Sequence, residues 1–370
     1  MKRERIIYLD YLKSLAIFAI IAMHIASFMA NTKALNLTMH NLSQIGRFAV
    51  PMFLMVSGVL LLNRDYGSFK DFFIKRSSKI TIPFVFWVLI IILLTMGVNN
   101  YALDNLLPVV YTSFFNFGIL WYFWMIIGVY LALPIINEYV KNTGLDGIKY
   151  FLVIGIIASI IYQFCKIFSL HTYLDFRFFI GPIFYILLGY YLHNKKFNIS
   201  NNKIAIISLA LFIVTSLLKT TLNVLSADYT IFYALNNHTF VEGGNIFFET
   251  YLDLGILEII HVSSLFLLLK YLPLDKISKS ITNFFISVSR STWGIYCSHS
   301  IFLILIPLYL SNIHLSGTKT VILIIVLSIA VFIMGYLIKF WFAVFKFDIA
   351  KAENESLLDT AKNIKQLFAK

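Results

Sequence analysis

The sequence predicts an all-α fold, a polytopic integral membrane bundle of about ten transmembrane helices. Hydrophobic residues make up 59% of the 370-residue chain, and its mean hydropathy is +0.83. Only 13% of the residues are charged, whereas a soluble domain carries about 25%. Apolar stretches long enough to cross a bilayer recur along the whole chain. They are continuous rather than alternating, which favours helices over barrel strands.

Ten spans are predicted, at residues 11–30, 45–62, 80–98, 119–137, 148–168, 177–193, 203–223, 249–272, 290–311 and 319–345. With the N-terminus in the cytoplasm, 23 of the 30 lysines and arginines fall in cytoplasmic segments. Five fall in outer segments, namely Lys33, Lys166, Arg177, Lys219 and Lys319. This asymmetry follows the positive-inside rule and places both termini in the cytoplasm. The net charge of +12 is therefore a topology signal, and no nucleic acid is expected as a partner.

Two regions are expected, a transmembrane domain over residues 1–347 and a short cytoplasmic tail over residues 348–370. Apolar residues of the tail share one helical face and lysines lie elsewhere, which predicts an amphipathic helix on the membrane surface. Cys165 and Cys297 fall in different spans at different depths, so neither a disulfide nor a metal site is expected.

A histidine stands near the far end of the first span. His24 lies thirteen residues beyond Tyr11, which is about 20 Å along a helix and places it in the outer half of the membrane. An imidazole at this depth suits a general base or a proton relay. The alternative is a histidine whose hydrogen bonds are satisfied by a neighbouring helix, with no further role.

Basic residues cluster at the cytoplasmic mouth of the third span. Arg76 and Lys79 are three residues apart and Lys75 is adjacent, so the three can hold a phosphate group. The alternative is ordinary anchoring of the helix by positive charge, which composition alone favours.

Other polar residues lie within apolar spans. Glu258 and His261 are three residues apart and share a helix face near the middle of the membrane, where His299 is also expected. Arg47, at the outer start of the second span, either orients an anionic group or extends to the interface. Several ionisable groups in one bundle suggest a polar cavity.

Two further features have mainly structural readings. Trp121 and Tyr122 come at the outer end of the fourth span, where an interfacial aromatic belt is favoured over a platform for stacking sugars. Ser57 and Gly58 lie inside an apolar helix, where small residues allow close packing of helices.

Taken in order, several segments resemble the membrane acyltransferase 3 family of bacteria. They are "YLDYLKSLA" with His24 in the first span, "RFAVPMFLMVSGVLL" in the second, "FFIKRSSKITIP" before the third, and the later "LWYFWMIIGVYLALPII" and "STWGIYCSHSIFL". The resemblance covers nearly the whole chain and the same number of spans. The ordered set is far more specific than any single segment.

The resemblance implies a role for individual residues. His24 matches the first-span histidine that acts as catalytic base, and Arg5 and Asp10 match the polar start of that helix. Arg76 matches a basic motif that contacts the phosphates of coenzyme A. Lys79 and Lys13 stand where arginine is common, so the charge is kept but the planar fork is lost.

The resemblance also implies a reaction. An acyl group, typically acetyl, would pass from cytoplasmic acyl-CoA to a hydroxyl of a surface glycan or glycolipid. Acetyl-CoA or another short acyl-CoA would be a co-substrate, with no tightly bound cofactor. Asp10, Glu258 and His299 would assist His24, while Arg47, Tyr122, Trp121 and His261 would bind the acceptor or stabilise the oxyanion.

The expected location is the bacterial cytoplasmic membrane, and no extracytoplasmic SGNH domain is expected in this chain. Homo-oligomers or a polysaccharide-synthesis machinery are open as partners. Two other functions fit the same spans. A transporter of a glycan or lipid intermediate would move its substrate without consuming acyl-CoA. A non-catalytic scaffold or sensor would keep its function when His24 is replaced by alanine.

Overall fold

The computed structural model describes residues 5–28, 45–115, 120–167, 170, 173–228, 255–310 and 318–344. Within these ranges the chain is helical and contains no strand. Its α-helices are α1 (Ile7–Phe28), α2 (Ala49–Leu61), α3 (Phe69–Val98), α4 (Leu106–Phe115), α5 (Trp121–Ile167), α6 (Pro182–Asn194), α7 (Asn201–Asp228), α8 (Gly255–Tyr271), α9 (Lys279–Leu310) and α10 (Thr318–Val344). The predicted all-α fold is confirmed. The predicted tail helix over 348–370 lies outside the described residues.

Four helices of the described chain are long and apolar enough to cross a membrane, judged by length and composition. They correspond to the segments Ile7–Ala26, Phe69–Val98, Trp121–Cys165 and Asn201–Thr221. Helix α5 covers two predicted spans in one element. Its helical backbone is interrupted at Gly144, which has φ 62° and ψ −151°. A glycine tolerates this left-handed φ, so the chain can change direction there.

Two helices begin eleven residues earlier than their apolar runs predict. Helix α3 starts at Phe69 rather than residue 80, because Ser68 caps it by accepting a hydrogen bond from the Asp71 amide at 3.0 Å. Helix α9 starts at Lys279 rather than residue 290, directly after Ser278. Hydropathy marks only the apolar part of such a helix, so the polar first turns were missed. Helix α4, a ten-residue segment too short to span a bilayer, was also missed.

The chain divides into two compact units. The first unit comprises Met1–Arg64 and Ile136–Ser289, and the second comprises Asp65–Ile135 and Arg290–Lys370.

In the first unit, α2 and α6 pack with their backbones in contact. A Cβ atom added at Gly58 would overlap the backbone of Ile186, and one added at Gly189 would overlap the backbone of Met55. Helix α2 also packs against α1, and α8 packs against α1, α6 and α7. The prediction that Gly58 serves helix packing is therefore confirmed.

In the second unit, aromatic side chains fill the core. The rings of Phe84 and Phe123 stack with centroids 3.6 Å apart. The indole of Trp293 donates a hydrogen bond to the Ile80 carbonyl at 3.1 Å, which ties α9 to α3. Trp124 likewise donates to the Phe114 carbonyl at 2.8 Å. The indoles of Trp293 and Trp124 thus each donate to a backbone carbonyl.

The close approach of α2 and α6 predicts a strong effect of one added methyl group. We expect Gly58→Ala to lower the stability of the protein by about 1–3 kcal/mol, because the new Cβ has no room beside the Ile186 backbone. Thermal unfolding of the purified protein in detergent measures the change.

Gly128→Ala is the matched control, since a Cβ at this helical glycine meets no atom within 4 Å. We expect it to be neutral or slightly stabilising, because alanine favours a helix over glycine by about 0.5–1 kcal/mol. Equal melting temperatures for the two variants would contradict the packing argument.

Candidate functional site

The residues predicted to form the site are divided between the two units. The first unit holds Arg5, Asp10, Lys13, His24, Arg47, Glu258 and His261. The second unit holds Lys75, Arg76, Lys79, Trp121, Tyr122 and His299.

His24 lies in the last turns of α1 and is partly buried. The turn that carries it packs against the residues preceding α2. A Cβ at Gly46 would lie 3.4 Å from the Ala19 carbonyl oxygen and 3.6 Å from the Cβ of Met23, the residue before His24. This contact brings the neighbouring Arg47, itself partly buried, close to the C-terminal half of α1.

The N-terminal end of α1 is held by a network of polar bonds. The Arg5 guanidinium donates two hydrogen bonds to the Asp10 carboxylate, at 2.7 Å and 2.8 Å. Ser289 donates a third bond to Asp10 at 2.6 Å, and the Ser14 hydroxyl donates to the Phe285 carbonyl at 2.9 Å. Asp10 is buried, and its carboxylate therefore joins the start of α1 to α9.

The structure thus brings Arg5 and Asp10 together as an ion pair. Asp10 precedes His24 by fourteen residues on one continuous helix, which separates them by about 21 Å. Lys13 lies one turn after Asp10 and is partly buried. A catalytic role for Asp10 and donor binding by Arg5 and Lys13 stay predictions.

Glu258 and His261 both face helix α7, as their spacing predicts. Glu258 accepts a 2.6 Å hydrogen bond from the ammonium of Lys219, and the two side chains are 1% and 0% exposed. Nδ1 of His261 lies 2.8 Å from the Thr215 hydroxyl. The imidazole also stacks on Phe212, with ring centroids 4.5 Å apart. Two layers of polar contacts therefore join α7 and α8 inside the unit.

Lys219 is the residue of this cluster that sequence reasoning missed. It was assigned to an outer segment, but it is fully buried within α7. Lys219 can be buried because its ammonium lies beside the Glu258 carboxylate, and a buried ammonium requires a charged partner. The available signal was a lysine inside an apolar helical run, which marks a candidate functional residue in a membrane protein. The positive charge of Arg47 also acts on Lys219, so these two residues lie in one neighbourhood.

In the second unit the basic residues share one face of α3. Lys75, Arg76 and Lys79 lie in the first half of that helix, at spacings of three and four residues that bring side chains together. Lys75 is exposed, while Arg76 and Lys79 are partly buried. Arg76 lies near enough to the Tyr130 phenol to interact with it electrostatically. Such a face offers several donors to a phosphate group.

Tyr122 and His299 meet around Tyr296. The ring of Tyr296 lies 5.7 Å from that of Tyr122 and 5.5 Å from the imidazole of His299. It also stacks on Trp293 at 5.3 Å. Trp121 contacts Tyr122 edge-on at 6.3 Å. Tyr122 is therefore part of an aromatic cluster within the unit, while the following Trp124 is exposed.

Cys165 and Cys297 are both buried and form no disulfide. Across the part of the chain that the structure describes, no three His, Cys, Asp or Glu side chains are grouped so that they could hold a metal ion.

One curated relative of this chain is an amino-acid racemase of Enterococcus faecalis. The two proteins are 26% identical over 208 residues, which cover 51% of this chain and 28% of the racemase. The match thus spans less than a third of that protein's length. No solved structure matches the chain.

A protein family described as "Acyltransferase domain" matches residues 6–340. The matched region contains all of helices α1 to α9 and most of α10, and with them each of the predicted site residues except Arg5. The resemblance noted in the sequence is thereby confirmed at the level of the family. The chain belongs to the acyltransferase 3 family of membrane acyltransferases.

Proposed function

We propose that this protein is a membrane O-acyltransferase that moves a short acyl group from acyl-CoA to a hydroxyl of a cell-surface glycan or glycolipid. The observation that carries the proposal is the family match over residues 6–340, which includes both the helix of His24 and the helix of Arg76. The proposed location is the cytoplasmic membrane of a bacterium.

The donor is proposed to bind through its phosphates. Coenzyme A carries several phosphate charges on a long thin molecule, and Lys75, Arg76 and Lys79 present three cations on one helix face. Arg76 supplies a planar fork for paired hydrogen bonds, and the lysines add point charges. Arg5 is engaged with Asp10, so we assign it to holding α1 rather than to first contact with the donor. Acyl-CoA is a co-substrate, and no tightly bound cofactor is proposed.

His24 is proposed to act as the general base. Its imidazole takes the proton of the acceptor hydroxyl as the oxygen attacks the thioester carbonyl. A tetrahedral oxyanion forms, the carbon–sulfur bond then breaks, and the coenzyme A thiolate takes the proton back from the imidazolium. The reaction is thus balanced, because one thioester and one alcohol give one ester and one thiol.

The developing negative charge needs a positive neighbour. Arg47 fits this role within the first unit, because Gly46 packs against the α1 turn that precedes His24. Tyr122 and Trp121, which lie in an aromatic cluster of the second unit, are proposed to bind the acceptor, and His299 of the same cluster is proposed to assist catalysis. The acetyl group, the acceptor and any oligomeric partner are parts of the proposal that need their own tests.

Replacing His24 separates chemistry from binding. We expect His24→Ala to keep acetyl-CoA binding and to lower turnover of the thioester by about 10²–10⁴-fold, because the base is removed while the donor site is left intact. Protein in lipid nanodiscs gives both readouts, as acetyl-CoA affinity and as coenzyme A thiol released.

His193→Gln is the control, since it removes an imidazole that contacts Tyr8 at 2.7 Å and has no proposed chemical role. It should keep turnover near the wild-type rate. If His24→Ala turned over acetyl-CoA as fast as wild type, the assignment of His24 as base would be wrong.

Replacing Arg76 tests the donor site. We expect Arg76→Ala to weaken acetyl-CoA binding by about 10–100-fold, the value of a charge-assisted hydrogen bond to phosphate. Arg76→Lys should recover only part of the affinity, because an ammonium lacks the fork. Isothermal titration in nanodiscs measures the affinities.

Lys149→Ala is the matched control for Arg76→Ala. Lys149 is exposed, and its replacement also removes one positive charge on the proposed cytoplasmic side. Its affinity for acetyl-CoA should match wild type. Equal weakening by Lys149→Ala and Arg76→Ala would show a diffuse charge effect and would remove the specific role of Arg76. Absence of acetyl-CoA binding by wild type would favour transport without acyl transfer.

A further inference from the structure

The polar cluster between α7 and α8 has no fixed part in the mechanism above. Its members are Thr215 and Lys219 on α7, and Glu258 and His261 on α8. The Lys219–Glu258 ion pair is withdrawn from solvent almost completely, with exposures of 0% and 1%. A buried ion pair can commonly be replaced by apolar side chains without loss of stability, so packing alone does not explain this one.

Two atoms of the cluster remain open to a ligand. Oε1 of Glu258 and Nε2 of His261 are buried, and neither makes a hydrogen bond with any residue that the structure describes. The backbone of Ile45 lies close to the imidazole as well. Buried polar atoms of this kind are rare, and each calls for a partner.

Both open atoms are hydrogen-bond acceptors. A carboxylate oxygen can only accept. The Thr215 hydroxyl has a single hydrogen, which it donates to the Leu211 carbonyl at 2.7 Å. With the hydrogen directed to Leu211, the Thr215 oxygen accepts from Nδ1–H of His261, and we assign the neutral ring this tautomer, in which Nε2 keeps a lone pair. Stacking on Phe212 fixes the plane of the ring and so the direction of Nε2.

The charges around the two atoms select the kind of ligand. Two acceptors require a ligand that donates two hydrogen bonds. A cationic donor such as an amine is disfavoured, because Lys219 and Arg47 already place positive charge in this neighbourhood. An anionic ligand would face two lone pairs. Neutral hydroxyl groups satisfy both conditions, and acceptors one helical turn apart can be reached by two hydroxyls of one sugar ring.

The cluster lies in the same unit as His24. The ring of Phe48 is 6.1 Å from that of His261, and Gly46 contacts Ala19 and Met23 of α1. The short segment 46–48 therefore connects the cluster to the turn that carries His24.

We infer that this cluster is the binding site for a polyhydroxylated acceptor, with Glu258 and His261 each accepting a hydrogen bond from one of its hydroxyls. Lys219 and Thr215 are positioning residues that hold the carboxylate and the imidazole in place. The inference rests on the proposed function for its meaning as an acceptor site. Its binding step needs no acyl-CoA and can be measured alone.

The probe is methyl α-glucopyranoside, and cyclohexanol is the ring of similar size with one hydroxyl. Saturation-transfer NMR on protein in nanodiscs, without acetyl-CoA, measures binding, with empty nanodiscs as the blank. The variants are Glu258→Gln and the double variant Lys219→Met/Glu258→Leu, which leaves no uncompensated buried charge and should therefore fold. Glu138→Gln is the matched control, since it removes a carboxylate from an exposed ion pair with Lys141. Thermal unfolding verifies that each variant is folded.

We expect wild type and Glu138→Gln to bind the glucoside equally and to bind cyclohexanol at least about tenfold more weakly, since a buried acceptor is then left without its donor. Glu258→Gln should weaken glucoside binding about tenfold, and the folded double variant should lose it. Equal glucoside binding by wild type and the folded double variant would overturn the inference, as would absence of glucoside binding by wild type. A protein that binds the glucoside through Glu258 but does not bind acetyl-CoA would support the binding site and contradict the acyltransferase proposal.

Discussion

The cost of placing charge inside apolar helices organises the first unit of this protein. Lys219 and Glu258 are withdrawn from solvent between α7 and α8, and a 2.6 Å ion pair compensates the charge of each. Removing one partner of such a pair leaves a buried charge without compensation, which costs about 3–5 kcal/mol. The relative position of the two helices is therefore fixed by chemistry as well as by shape. The same constraint explains why the His261 imidazole has a hydroxyl partner in Thr215.

Helix α1 carries His24 and is held at both ends. At its start, Asp10 receives hydrogen bonds from Arg5 and Ser289. Toward its other end, Ala19 and Met23 pack against Gly46. A helix anchored in this way places its last turns in a defined position and rotation, which a catalytic base requires, since small displacements reduce the rate strongly. Asp10 then serves the site through the placement of α1, although it lies about 21 Å along the helix from His24.

The fold could be predicted from sequence wherever the signal was a continuous apolar run. The starts of α3 and α9 were missed, because their first turns are polar and their helicity depends on local structure rather than hydropathy. The spacing of Glu258 and His261 correctly predicted a shared face, since the period of a helix determines it. Their partner Lys219 was missed, because the contact joins residues 39 apart in the chain. Nor does spacing reveal that His299 belongs to the other unit.

Inside-out membrane vesicles from cells that express the protein allow the most direct test of the central claim, that this membrane bundle transfers an acyl group from coenzyme A to a hydroxyl. Acetyl-CoA labelled in the acetyl group is added to the exposed cytoplasmic face, and the thiol released is compared with the labelled ester recovered from membrane and lumen. The account predicts protein-dependent ester formation with one coenzyme A released for each ester. Vesicles that contain the folded protein and neither consume acetyl-CoA nor form labelled ester would contradict it.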